Sequence, residues 1–357
     1  MKTLFRILIV LSFLAIIFFY SSGSDNYELL EGPNSTSQII PKTEGEHEIS
    51  QDSLPRPETG LSTMIGKSSE ELLKLYKEPN RYDQSVYGYQ WWVYNQDPSR
   101  YMMFAVNTSG IVTQVYTNAK ESDISPYKIG QTLEDIYSMT IIESEVNASI
   151  ENNIYTFTMS EEDMNTRILT KFDNIFAQLY MDSENGELSG IRYMDSHTLV
   201  IHRPYEMSFV GELLSPPSPT SYLIEESNKA SAVQLNDLLN VFRLNNEAPT
   251  LMEDESVNLV AMQHSEDMYT ESYLSHESPT KGSLEDRLEN EGIVYENAEE
   301  NIATSYIDAI EAVHGWLNSS THRNYMLDEA YTTVGSGTFV NYYTQIFIEK
   351  ENEEIEE

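Results

Sequence analysis

The 357-residue chain contains no cysteine, so no disulfide can staple its domains and no lipid can be attached through a terminal cysteine. Whatever folds here must be stable on core packing alone. Basic residues are also scarce: 21 Lys and Arg stand against 58 Asp and Glu, a formal net charge of -37. Such a surface repels phosphate backbones and anionic headgroups, which excludes nucleic acid as a partner and limits membrane contact to the amino-terminal segment. No alternating Asp and Asn run closed by Glu marks a calcium loop, and no Gly-x-Ser-x-Gly elbow surrounds a nucleophilic serine.

Apolar residues make up 40% of the chain, enough for two ordinary domains and their linkers. Met1 to Arg6 form a short basic start, and Ile7 to Tyr20 are apolar except for Ser12. Residues 1–23 fit an export segment, either a cleaved signal peptide or an uncleaved amino-terminal anchor. Both place the bulk of the chain outside the cytoplasm, secreted or anchored. Residues 24–60, rich in Ser, Pro, Glu and Gly, predict a flexible stalk. The run Ser215-Pro216-Pro217-Ser218-Pro219-Thr220 breaks the chain again, predicting a linker over 215–228 between a middle domain (61–214) and a carboxy-terminal domain (229–349). Residues 350–357 form an acidic tail.

The middle domain carries a weak internal repeat. Ile65-Gly66-Lys67-Ser68 opens one half and Ile129-Gly130-Gln131-Thr132 the other. Ser68 with Glu71, and Thr132 with Asp135, have capping-box spacing and predict a short helix in each half. Strands follow: Tyr101–Val106 and Ile111–Tyr116 flank a turn at Asn107 to Gly110, and Ile175–Tyr180 turns at Asn185-Gly186 toward Ile191–Met194. This is the pattern of a duplicated α+β domain. The aromatic run Tyr87 to Tyr94 is assigned to its core rather than to a ligand platform.

In the carboxy-terminal domain, Leu235, Leu238, Leu239 and Phe242 form one helical stripe, and Val257, Val260, Ala261, His264 and Met268 another. His264 is therefore expected in the core and outside any site. Ser283 with Asp286 caps a third helix ending at Gly292. A fourth turns Tyr306, Ala309, Val313 and Trp316 inward, leaving His314 off the stripe and expected in solvent. Tyr343, Gln345 and Phe347 alternate in a terminal strand after Val334-Gly335-Ser336-Gly337.

Within this region His276, the run Glu300-Asn301-Ile302-Ala303, Trp316 and the run Ser320-Thr321-His322-Arg323-Asn324 follow in order. Over roughly 229–349 that order resembles the CAP superfamily (cysteine-rich secretory protein, antigen 5 and pathogenesis-related 1 proteins; SCP-like domains), in its cysteine-free bacterial branch. Tyr87 to Tyr94 resembles the CAP-associated domain that precedes it in bacteria. The resemblance implies an α-β-α sandwich with an open cleft lined by His276, Glu300 and His322. Ser319 stands where eukaryotic members have a second acid, and Glu299 is expected to point elsewhere. Arg323 and Asn324 are expected to brace the cleft wall.

Two imidazoles and a carboxylate are ligand types that zinc accepts, with His276 and His322 as the metal ligands and Glu300 as general base. A His–Glu hydrogen-bonded network that ties loops to the sheet is the equal alternative. Three functions follow: a surface module binding a small ligand, lipid, glycan or peptide; a zinc-dependent hydrolase of peptides or cell-wall material; or a scaffold that meets a protein partner through the middle domain. The third predicts that the carboxy-terminal domain folds without residues 61–214.

Overall fold

The computed structural model describes residues 29–33, 38–42 and 53–350. The export segment 1–23 and the tail beyond residue 350 lie outside the described residues. The strands are β1 (Leu30–Glu31), β2 (Ile39–Pro41), β3 (Arg81–Gln84), β4 (Tyr89–Tyr94), β5 (Met102–Asn107), β6 (Val112–Thr117), β7 (Glu145–Ile150), β8 (Asn153–Thr158), β9 (Arg167–Phe172), β10 (Ile175–Asp182), β11 (Glu187–Asp195), β12 (Glu206–Val210), β13 (Met252–Glu253), β14 (Asn297–Thr304), β15 (Thr333–Phe339) and β16 (Tyr342–Glu349). The helices are α1 (Ser69–Tyr76), α2 (Leu133–Met139), α3 (Asp163–Thr166), α4 (Ser196–His202), α5 (Ser221–Asn245), α6 (Glu255–Thr270), α7 (Leu284–Asn290), α8 (Ala309–Leu317) and α9 (Ser320–Leu327).

The middle domain is built on a seven-stranded sheet, β3-β4-β5-β6-β11-β10-β9, beside a four-stranded one, β2-β12-β8-β7. The two expected openings are held alike. Gly66 N donates to Val112 O and Gly130 N to Leu188 O, both at 2.8 Å; Val112 and Leu188 return the bond to Lys67 O and Gln131 O. Ser68 completes its capping box with Glu71, and Thr132 accepts from Asp135 N. The halves are nonetheless not separate units, because strands from both join in the seven-stranded sheet.

The carboxy-terminal domain is α+β: helices α5 to α9 pack on the sheet β1-β14-β16-β15-β13, an α-β-α sandwich. The predicted stripes of α5, α6 and α8 are all buried. His264 is fully buried, as its stripe required.

Two expectations about the connections fail. Residues 24–60 are not simply a stalk: β1 joins the carboxy-terminal sheet, β2 joins the four-stranded sheet, and Leu54 bridges to Phe172. Residues 221–228 are the first two turns of α5, capped by Thr220, rather than linker. The two domains also share one core. Tyr89, Trp91, Val93, Tyr101, Met103, Tyr116 and Tyr180 pack in the same cluster as Leu235, Leu238, Phe242, Val313 and Trp316.

That cluster buries Tyr89 and Trp91 as expected of the aromatic run, and it overturns two other expectations. His314 is buried, not solvent-facing, because the seven-stranded sheet covers the polar side of α8. Its Nε2 bonds Tyr116 Oη at 2.9 Å and its Nδ1 lies 3.3 Å from Ser189 Oγ. Nor can the carboxy-terminal domain be expected to fold without residues 61–214. Exposing four such large side chains at about 2 kcal/mol each costs about 8 kcal/mol, as much as the whole stability of an ordinary domain.

Candidate functional site

Glu300 sits in the middle of β14, paired across the ladder to Ile346 of β16. His276 lies in the loop between α6 and α7. Asp267 pins that loop by accepting from Ser278 Oγ and Thr280 Oγ1, each at 2.7 Å, and from Tyr273 Oη. His276 Nδ1 donates to Glu300 Oε1 at 3.0 Å. Arg287, on α7, takes both carboxylate oxygens: Nη1 to Oε2 at 3.1 Å and Nη2 to Oε1 at 2.7 Å. Its Nη2 also donates to His276 O at 3.0 Å and its Nε to Ser283 O at 3.2 Å. One guanidinium thus ties strand, loop and helix together.

Burial alone would raise the Glu300 carboxyl, but Arg287, with His264 and His276 beside it, holds it well below the usual carboxylate range. Since the carboxylate is ionised and can only accept, the proton of the His276–Glu300 bond belongs to Nδ1. His264 completes the group, its Nε2 3.1 Å from Ser275 O and 3.8 Å from Glu300 Oε1. Burial pushes its pKa down to about 4, so the ring is neutral at pH 7. Its Nε2 proton faces the Ser275 carbonyl, and buried Nδ1 has no hydrogen-bond partner among the described residues.

His276 and Glu300 open on a cavity of about 400 Å³ that Leu29, Glu277, Glu285 and Glu299 also line. Glu299 borders this cavity, but its side chain points to the opposite face of β14, beside Asn297 and Tyr331, as sequence had suggested. Ser319 and His322 form a second pair, Oγ to Nδ1 at 2.7 Å, with His322 buried. Neither lines the His276 cavity. Asn301 Nδ2 donates to His322 O at 3.2 Å and Trp316 Nε1 to Ile302 O at 3.1 Å, so the motif residues after Glu300 fasten α8 and α9 to β14. Arg323 braces the domain interface rather than the cleft wall: it pairs with Asp182 at 2.8 Å and Glu184 at 2.7 Å, both in the middle domain.

Ser319 instead lines a cavity of about 660 Å³ at the domain junction, together with Glu311, Arg167, Tyr205 and residues 30–33. Its charges answer one another. Arg167 meets Asp163 at 2.5 Å and Glu311 at 3.6 Å, and Gln178 Nε2 donates to Glu311 at 3.0 Å. Burial raises the Glu311 carboxyl against the pull of Arg167 and Arg192.

The donor set does not fit a resident zinc. A cation at Glu300 would displace or oppose the Arg287 guanidinium, which already neutralises the carboxylate on both oxygens. Among the described residues no three His, Asp or Glu side chains converge as metal ligands would. Sequence reasoning missed Arg287, whose only signal was its place directly after the Ser283–Asp286 capping box. It also left His264 out of the site, although the buried face of α6 is the face that meets Glu300.

Residues 65–205 match the CAP-associated N-terminal family and residues 237–347 the cysteine-rich secretory protein family. The membrane protein YlbC of Bacillus subtilis (strain 168) is 37% identical over 352 residues, covering 98% of this chain and 100% of its own. The crystal structure of an extracellular SCP-domain protein from Bacillus anthracis superposes with a TM-score of 0.78 at 36% identity, over 85% of this chain and 99% of that one. A cysteine-rich secretory protein from Staphylococcus aureus shares the fold, with a TM-score of 0.73 at 23% identity over 91% and 100% of the two chains. Fold, motif order and relatives agree: the chain belongs to the CAP superfamily, in its cysteine-free bacterial form with an N-terminal CAP-associated domain.

Proposed function

We propose that the protein is an extracytoplasmic binding module whose CAP cleft takes a ligand beside His276. The observation that carries this reading is the Arg287–Glu300–His276 arrangement. A carboxylate held far below its usual pKa is a weak base, so Glu300 orients His276 instead of moving protons itself. His276 presents an oriented imidazole to the cavity, a polar group suited to a ligand hydroxyl, carbonyl or amide.

A zinc hydrolase is less well supported, because Arg287 sits where the metal's charge would have to be. Among the described residues, the two serines that line the His276 cavity serve in local turns and caps. Ser283 Oγ caps α7, accepting from Asp286 N at 3.2 Å, and Ser275 Oγ accepts from Glu277 N at 3.1 Å. The address outside the cytoplasm rests on the export pattern of residues 1–23, on the word membrane in the name of YlbC, and on the extracellular SCP-domain protein of Bacillus anthracis. Middle-domain contact with a protein partner is not favoured by any particular surface feature, since much of one sheet face is spent on the CAP domain.

The test is calorimetry on the full chain beside His276→Ala, with three probes: phosphatidylglycerol vesicles, a muropeptide disaccharide and a short-peptide library, each mixture then checked by mass spectrometry. Binding of one class, lost in the variant and without product, is expected. Turnover of any probe would replace the binding reading with an enzymatic one. Zinc titrated in parallel should reveal no micromolar site that the His276→Ala, His322→Ala double variant removes.

A further inference from the structure

Among the described residues, the strand that carries Glu300 is at the edge of the CAP sheet but for two residues. β1 covers it in parallel, Leu30 opposite Ala303 and Glu31 opposite Thr304, and Gly32 N donates to Thr304 O at 2.7 Å. The chain then leaves through buried Gly32, where a Cβ would come within 2.5 Å of Ser305 O and 2.8 Å of Tyr306 N. This short segment lies between the two cavities. Leu29 lines the one that holds His276 and Glu300, whereas Leu30 to Pro33 line the one at the domain junction.

Such a contact is a strand addition, in which backbone bonds give affinity and flanking pockets give selectivity. It is a small one. Among the described residues the ladder has two register pairs, Leu29 is 48% exposed, and Leu30 is the part that packs against the shared core. A tethered segment needs little intrinsic affinity, because its effective concentration is on the order of millimolar. A free peptide with better side chains can therefore compete with it.

The His276 cavity states what those side chains are. Its rim carries the side chains of Glu277 and Glu285, and among the described residues no lysine or arginine lines it. Leu29 puts an aliphatic group where a cation would be attracted.

We propose that the edge of β14 is a strand-accepting site for an extended basic peptide of another protein, and that residues 29–33 are its built-in competitor. This rests on the ligand-binding reading and names the ligand class. It also gives Gly32 a purpose, since any side chain there would push the segment off the strand.

The experiment uses fluorescein-labelled peptides of residues 26–35, one with the native sequence and one with Leu29→Lys. Anisotropy is read on three forms of the full chain: intact, carrying Gly32→Val, and cut after folding at a protease site inserted between residues 34 and 37. The native peptide should bind both opened forms at least ten times more tightly than the intact chain. The Leu29→Lys peptide should bind more tightly again, with an affinity that falls as salt rises. The cut form guards against misfolding of Gly32→Val, and circular dichroism checks both. If neither opened form gains affinity, the strand-accepting site is refuted; if both gain it but the lysine peptide is no tighter, the basic partner is refuted. Failure here leaves the His276 cavity intact as a site for the lipid and muropeptide probes, so the two readings fall separately.

Discussion

His314 lies flat against Tyr180, ring centroids 4.1 Å apart and planes 6° from parallel, one ring from each domain. Tyr116 holds the edge of that imidazole by a hydrogen bond, and Phe242 meets it edge-on at 5.2 Å. The stack fits only because β11 has no side chain at Gly190, where a Cβ would stand 2.6 Å from His314 Nε2 and 3.0 Å from Tyr116 Oη. Domain contact and histidine burial are thus one feature.

Gly190→Ala should destabilise the whole protein, not one domain. Neither ring can retreat from the added methyl without losing its bond, so a cost of about 1–3 kcal/mol is expected. Differential scanning calorimetry should show one cooperative transition in the wild type, moved downward in the variant. Two separated transitions in the wild type would show that the shared core does not couple the domains. The double variant Gly190→Ala, His314→Ala should lose less than the sum of the singles, because the clash is gone.

Arg287 and Glu300 make a second coupled pair, and it should behave as a buried ion pair does. Arg287→Met leaves a buried carboxylate with His276 and little else, at a cost of about 3–5 kcal/mol. Glu300→Leu strands the guanidinium with a similar loss. Arg287→Met with Glu300→Leu should recover much of the stability while abolishing ligand binding at His276, whose ring is no longer oriented. Urea unfolding of the four proteins gives the coupling energy. Additive losses would mean that the pair does not organise the site.

Local features of this fold were legible in sequence because local chemistry sets them. Ser68–Glu71 and Ser283–Asp286 form their capping boxes, and the stripe from Val257 to Met268 is buried. What sequence hid depends on partners far away in the chain. His314 falls off the apolar stripe of α8, and an amphipathic pattern assigns such a residue to water; only the middle domain's sheet, more than a hundred residues earlier, makes that side an interior. Arg287 reads as a surface residue of a short acidic helix until β14 brings Glu300 beneath it. The strands at 30–31 and 39–41 are too short to show alternation, and their pairing is parallel to strands from distant parts of the chain. His276 and Glu300 were brought together by family resemblance alone, and their hydrogen bond is what spacing could not supply.

Acid should weaken the protein before its carboxylates protonate. Burial holds His264 at about 4 and His202 at about 3, and pushes His314 well below its ordinary value. The unfolded chain takes up a proton on each near pH 6.5, whereas the folded chain refuses it until its own lower pKa. Stability contributed by these rings is therefore complete above pH 6.5 and declines as pH falls from there toward 4, with no further loss once the folded rings are also protonated. At pH 5 the difference is about 2 kcal/mol for each ring, as an order of magnitude. Glu300, whose carboxyl is depressed, adds to the loss only below about pH 4.5, the ordinary range of a free glutamate. Glu311, Asp195 and Asp237 act in the opposite sense because burial raises their carboxyls, so they offset part of the loss at the lower end of this range. Urea midpoints at pH 7.5 and pH 5 measure the loss, and His264→Asn should shrink it by about the share of one ring. An unchanged loss in that variant would mean that His264 does not stay neutral in the folded protein, and that the electrostatics drawn around Glu300 are wrong.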